Sequence, residues 1–268
     1  MNGISVGGSA ISSPLARRNP TVKLALLFLV SCVLLVVFDP VTPTVLYLSG
    51  LLTVLVFAEI PARTLLLSHL PFLGFALGLL IVNALSRPGD VLVEAEGVRV
   101  TTQGLYLGAA LAMRTLAIGI LSIAFVATTD GVALMTSLNQ HARLSAPVTY
   151  AVLAGYRMLQ RMPREWQTIR QAQAVREPLR ADGTVRFGVR NYSRAAFALL
   201  VASIRRGERT AQSLESRGLG LHPRSVWRPI ALGRADWLMF GGVVVTVLGV
   251  VAVLAACGLV RGPAMLAS

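Results

Sequence analysis

Long apolar segments, separated by short polar interruptions, dominate the first half of the chain and return near its end. A helix needs about 20 mainly apolar residues to cross the hydrocarbon core of a bilayer. Five segments reach or approach that length, at residues 24–38, 44–58, 65–85, 104–128 and 237–260. The first two are short, and they are the ones expected to be tilted or reoriented. The pattern predicts an all-α integral membrane protein with about five transmembrane helices.

A polar region, residues 130–234, separates the fourth apolar segment from the fifth, and two long helices are predicted within it. The first runs from Val148 to Glu177, with a kink expected at Pro163. The second runs from Tyr192 to Arg217. Its apolar residues recur at helical spacing, at Ala196, Leu200, Ile204, Ala211 and Leu214.

Composition and the placement of charge agree with a membrane protein. Hydrophobic residues make up 54% of the chain and charged residues 14%, whereas soluble domains carry about 25% charged residues. Of the 25 lysines and arginines, 17 lie in residues 130–234, against 6 of the 12 acidic residues. Cytoplasmic loops of membrane proteins are enriched in Lys and Arg. Together with Arg17, Arg18 and Lys23 before the first span, this distribution predicts a cytoplasmic N-terminus and an external C-terminus.

The chain is accordingly divided into four parts. Residues 1–23 form an N-terminal cytoplasmic tail, which is small and polar and is interpreted as disordered rather than as a signal peptide. Residues 24–128 hold transmembrane helices 1–4, residues 130–234 form a basic cytoplasmic region, and residues 236–261 form the last transmembrane helix.

Side chains suited to an active site or a metal site are sparse. Cys32 and Cys257 lie in apolar runs, where a thiol acts as a small apolar side chain, and the three histidines share no metal-ligand spacing. The chain contains no GxxxxGK[ST] phosphate-binding sequence. No metal or cofactor is therefore expected. A membrane-embedded enzyme would need convergent catalytic groups, and it is kept as an alternative.

The net charge of +13 also raises the question of a nucleic-acid or anionic-lipid partner. Most of this charge is explained by the enrichment of cytoplasmic loops in basic residues. Aromatic residues are thinly interleaved with it. We therefore expect the lipid bilayer, and not a nucleic acid, to be a partner of the chain.

The end of the second long helix, Ser216-Arg217-Gly218, allows two interpretations. Glycine commonly follows a helix end, and arginine in the last turn suits the helix dipole, so the triplet can be purely structural. Alternatively, Arg217 at an exposed tip forms a bidentate pair with a carboxylate of a partner protein. The end of the first helix, residues 171–177, is similar in composition and also contains an arginine, Arg176.

The chain resembles the transmembrane T component of energy-coupling factor (ECF) transporters, the EcfT/CbiQ family. The resemblance covers nearly the whole chain and rests on five segments in the family's order: residues 19–23, 60–63, 96–105, 114–129 and 203–218. It implies a non-enzymatic subunit of an ABC-type importer for vitamins or metals in the cell membrane. Two cytoplasmic ABC-type ATPases would bind the ATP, and a separate small membrane protein, the S component, would capture the substrate.

The resemblance also assigns roles to residues. Two arginine-centred triplets, Val175-Arg176-Glu177 and Ser216-Arg217-Gly218, would dock onto the ATPases. The first departs from the family pattern, since Glu177 replaces the usual glycine and Val175 a small residue. The two contacts are therefore expected to be unequal, with Arg217 the more damaging residue to lose.

Two further assignments concern the apolar parts of the chain. The face of the second helix formed by Ala196, Leu200 and Ile204 is a candidate contact for the substrate-binding subunit. Arg114, inside the fourth span, is expected to have a structural role, either extending its charged end towards the membrane surface or pairing with a carbonyl or with Asn83. No residue of this chain is expected to identify the transported substrate.

Overall fold

The computed structural model describes residues 13–95, 98–175, 188–221 and 229–258. Helices account for most of this part of the chain, and the predicted all-α membrane class is confirmed, with one small hairpin added. The elements in order are α1 (Pro20–Val36), α2 (Val41–Phe57), α3 (Ala62–Ser86), β1 (Val91–Ala95), β2 (Val98–Thr101), α4 (Thr102–Thr128), α5 (Gly131–His141), α6 (Ala146–Ala174), α7 (Val189–Ser216) and α8 (Arg234–Ala256).

Three of the described helices, α3, α4 and α8, are long and apolar enough to cross a membrane. Helices α1 and α2 are equally apolar in character but have 17 residues each. At 1.5 Å per residue such a helix is about 25 Å long, which is shorter than a hydrocarbon core of about 30 Å. The two segments that were short in sequence are therefore short as helices too.

The chain forms two compact units. The first comprises residues 1–130 and 231–268, and the second comprises residues 131–230. In the first unit α4 packs against α1, α2 and α3, while α8 packs against α1 and α2. Two apolar clusters fill the contacts. One contains Val30, Leu34, Leu46, Ala117 and Val247, and the other contains Val54, Ala58, Leu65, Ile120 and Ala124.

Small residues on α4 allow α3 to approach closely. A Cβ placed on Gly108 would lie 2.9 Å from the carbonyl oxygen of Leu80, and one on Gly104 would lie 2.4 Å from the carbonyl oxygen of Asn83. Helices in membranes commonly use such small residues to bring their backbones together. The glycines of α4 therefore determine how its neighbour is positioned.

Replacing Gly108 by Leu is expected to destabilise the first unit by about 1–3 kcal/mol, because the added side chain must push the α3 backbone away. Unfolding of the purified chain in detergent, followed against temperature, measures the change. Gly78→Leu is the matched control, since a Cβ on Gly78 meets nothing within 4 Å. Equal effects of the two substitutions would show that the close approach of α3 and α4 does not matter.

The connection between α3 and α4 contains an antiparallel hairpin that was not predicted. Strand β1 pairs with β2 through register partners such as Glu94 and Arg99. Thr101 ends the hairpin and caps α4, because its Oγ1 accepts the N–H of Gly104 at 3.2 Å. The hairpin thus leads directly into the central helix of the unit.

The second unit contains α5 and the two long helices. Helix α5 was not predicted; its last residues hold the chain before α8, since Gln140 Oε1 accepts the N–H of Ile230 and the His141 ring bonds its carbonyl. Helices α6 and α7 pack together. Helix α6 continues across Pro163. Both predicted long helices are present, with slightly different ends.

Candidate functional site

Helix α7 ends in a Schellman motif centred on the predicted triplet. The N–H of Leu219 donates to the carbonyl of Leu214 at 3.0 Å, and the N–H of Gly218 donates to the carbonyl of Glu215 at 2.9 Å. Gly218 has φ +80°, a conformation that costs other residues about 1–2 kcal/mol. The backbone conformation alone therefore explains a glycine at position 218, whether or not a partner binds there.

Arg217 occupies the C-cap position of α7. Its side chain is exposed, and it forms no hydrogen bond or ion pair with any residue in the described part of the chain. Ser216 turns its hydroxyl back to the carbonyl of Ser213. The Schellman bonds use only backbone groups, so the guanidinium is left to project from a fixed helix end.

The first triplet is only partly within the described residues. Val175 is the C-cap of α6, its N–H donates to the carbonyls of Gln171 and Gln173, and its side chain is 88% exposed. Arg176 and Glu177 lie outside the described residues. Helix α6 ends at Ala174, three residues before the predicted end.

An aromatic pair and an ion pair contribute to the contact between α6 and α7. The rings of Trp166 and Tyr192 meet edge to face with centroids 4.9 Å apart. Glu165 forms an ion pair with Arg206. An edge-to-face pair adds about 0.5–1.5 kcal/mol to the burial of its rings. These contacts fix where the two long helices lie against one another.

One face of α7 is apolar and exposed. Ala195 and Ser203 are the buried residues of the helix. Ala196, Leu200 and Ile204 all lie on exposed positions, and the latter two are 55% and 53% accessible. Phe197 is a further exposed apolar residue of α7. Exposed apolar surface of this kind indicates contact with a protein or with a membrane.

Arg114 lies near the middle of α4 and contacts the end of α1. Its Nη2 donates to the carbonyl of Val37, and its guanidinium lies 5.0 Å from the centroid of the Phe38 ring. Asn83, the other partner considered, instead donates to the carbonyl of Leu79 in its own helix. The carbonyl contact stabilises the turn between α1 and α2.

A buried polar cluster that sequence reasoning missed joins three helix ends. Lys23 of α1 donates to the carbonyl and the Oγ1 of Thr128 at the end of α4, at 2.8 and 3.3 Å. Asp236 of α8 accepts the N–H of Asn19 at 3.0 Å and the N–H of Gly233 at 2.9 Å. The carboxylate also interacts electrostatically with Lys23.

The cluster lies where the chain leaves and rejoins the first unit. Thr128 precedes Gly131, where the second unit begins, and Asp236 follows Ile230, where it ends. The segment before the second unit and the segment after it are thus both hydrogen-bonded to the start of α1, through Thr128 and Asp236. A sequence signal existed in part, since Asp236 is the acidic residue at the start of the last span. Its pairing with a segment more than 200 residues earlier had no local signal.

Groups of three or more His, Cys, Asp or Glu side chains able to hold a metal ion do not occur within the described residues. Cys32 and Cys257 are free and exposed.

Comparison with known proteins supports the family resemblance of the sequence. The family model of CbiQ, described as cobalt transport protein, matches residues 11–225. The chain is also similar to the energy-coupling factor transporter transmembrane protein EcfT of Heliobacterium modesticaldum, with 27% identity over 241 residues that cover 85% of this chain and 88% of that protein. The family match includes both long helices and the triplet at Arg217.

Proposed function

The chain belongs to the CbiQ family of cobalt transport proteins, and we propose that it is the coupling subunit of an energy-coupling factor importer. The resemblance recognised in the sequence is thereby confirmed at the level of the family. The chain is a multi-pass membrane component of a transporter and not an enzyme. The partners of the chain and its coupling mechanism are proposed from this family membership and from the geometry of α7.

The observation that carries the proposal is the end of α7. Arg217 is exposed at a helix end whose geometry is already satisfied by backbone bonds. Its planar guanidinium can pair with a carboxylate in two parallel hydrogen bonds. We assign it to a groove of a cytoplasmic ABC-type ATPase. Arg176, with Val175 and Glu177, is assigned to a second ATPase, and ATP is bound by those subunits.

The exposed apolar face of α7 supplies the second contact. We assign Ala196, Leu200 and Ile204 to the small membrane protein that binds the substrate, a vitamin or a metal ion. Trp166, Tyr192 and the ion pair of Glu165 with Arg206 join α7 to α6. ATP-driven movement of the helix ends would therefore shift the apolar face that holds the substrate-binding subunit.

The distribution of basic residues supports the orientation in the cell membrane. We assign residues 130–234, with both long helices, to the cytoplasmic side, because cytoplasmic regions of membrane proteins are enriched in Lys and Arg and this region holds 17 of the 25. The N-terminus lies on the same side. ATPases in the cytoplasm then meet the helix ends directly.

Purification of the tagged chain from its native membrane tests the assignment of partners. We expect two ABC-type ATPase subunits and one small multi-pass protein to co-purify, with a vitamin or metal ion bound to the small protein. Mass spectrometry identifies all three. A tagged, unrelated multi-pass protein from the same membrane is the control. A chain that purifies without any ATPase under gentle solubilisation would contradict the proposal.

A further inference from the structure

A cavity of about 540 Å³ lies in the first unit between α1, α2, α4 and α8. Its volume is within the range of about 300–1,000 Å³ usual for small-molecule sites. The walls are mainly apolar, with hydroxyl groups at Ser49, Thr53, Thr128 and Thr246, and the charged residues among those lining the cavity are Arg18 and Lys23. Both belong to the same end of the cavity, at and just before the start of α1.

The length of the cavity matches one leaflet of a bilayer. Along α8 the lining residues run from Ala235 to Val247, which corresponds to about 18 Å of helix at 1.5 Å per residue. Half of a hydrocarbon core of about 30 Å is about 15 Å. The apolar walls along α8 are thus about as long as the hydrocarbon layer of one leaflet.

The charged end has one cation whose side chain is not engaged. Lys23 donates to Thr128 and interacts electrostatically with the carboxylate of Asp236. Arg18 is half-buried at the cavity, and its side chain forms no hydrogen bond or ion pair with the residues that the structure describes. The planar guanidinium of Arg18 can donate two hydrogen bonds to two oxygens of one phosphate group.

We propose that this cavity binds an anionic phospholipid, with one acyl chain between the four helices and the phosphate at Arg18. The cation at one end of the cavity matches the lipid phosphate, and the mainly apolar walls that continue from it match the acyl chain. The assignment rests on the proposed orientation, which places the Arg18 end in the cytoplasmic leaflet, where anionic lipids attract basic groups. It does not depend on ATPase docking.

Native mass spectrometry of the full chain in detergent tests the site, with phosphatidylglycerol and phosphatidylcholine of identical acyl chains as probes. We expect one phosphatidylglycerol molecule to remain bound, and phosphatidylcholine to bind about fivefold less tightly. Arg18→Gln is expected to remove this preference. Gly242→Phe is expected to abolish retention, because Gly242 lines the cavity and its Cβ would meet nothing within 4 Å.

Gly241→Phe is the matched control. Gly241 lies on the same helix, does not line the cavity and also has no neighbour within 4 Å of a Cβ, so this variant should bind the lipid as the wild type does. Equal binding of the two lipids, or lipid retention by Gly242→Phe, would overturn the proposal. The assay contains no ATPase, so its failure leaves the coupling role untouched.

Discussion

Replacing Arg217 by Ala is expected to release the ATPase from the purified complex and to abolish uptake while the chain still inserts into the membrane. Truncating one partner of a buried, hydrogen-bonded charge pair costs about 2–5 kcal/mol, which weakens binding roughly 30- to 4,000-fold. The helix end itself should survive, because the bonds of Gly218 and Leu219 involve only backbone atoms. The ratio of ATPase to chain after affinity purification is the measurement.

Two further variants separate a docking role from a general effect of charge. Arg205→Ala removes an exposed arginine from the same helix and is expected to keep the ATPases bound. Arg217→Lys keeps the charge but loses the bidentate geometry, and it should retain only part of the binding. If Arg205→Ala and Arg217→Ala released the ATPases equally, net charge rather than the helix tip would govern assembly.

The second large effect is expected at the buried cluster of α1, α4 and α8. Lys23→Met removes the hydrogen bonds that the carbonyl and the Oγ1 of Thr128 accept from Lys23, and leaving buried acceptors without their donor costs about 1–3 kcal/mol. Unfolding of the purified chain in detergent measures this loss. Arg63→Met, which removes an exposed cation at the start of α3, is the control and should change stability little.

A double-mutant cycle tests whether the cluster acts as a unit. Replacing Lys23 by Met and Asp236 by Asn together should cost less than the sum of the single substitutions, because neither charge is then left buried alone. Additive costs would mean that Lys23 and Asp236 act independently. Because the cluster holds both connections to the second unit, the single variants should also reduce uptake more than they reduce ATPase binding.

The elements predicted from the sequence are those whose signal is local. Apolar segments of membrane length have few alternatives to a helix, because every backbone group must be satisfied within the bilayer. The ends of α6 and α7 shifted by up to three residues, since caps and not hydropathy determine them. The hairpin had only a partial signal in the sequence, because apolar and polar residues alternate in Val98–Thr101 but Val91, Leu92 and Val93 are consecutive apolar residues.

In the candidate site, too, features with a local signal could be predicted from the sequence, and contacts between distant residues could not. The exposure of Arg217 follows from its place at a polar helix end, and the apolar stripe of α7 follows from helical periodicity. The contact of Asp236 with Asn19 joins residues 217 positions apart, and no periodicity reports such a pairing. The choice of Val37, rather than Asn83, as the partner of Arg114 likewise depends on how α4 packs against α1.

The most direct test of the coupling account is photocrosslinking in native membranes, with the reactive residue placed at position 217 in one variant and at position 200 in another. The account predicts that position 217 captures an ATPase subunit and that position 200 captures the small substrate-binding membrane protein. Capture of neither partner, or of the same partner at both positions, would contradict it.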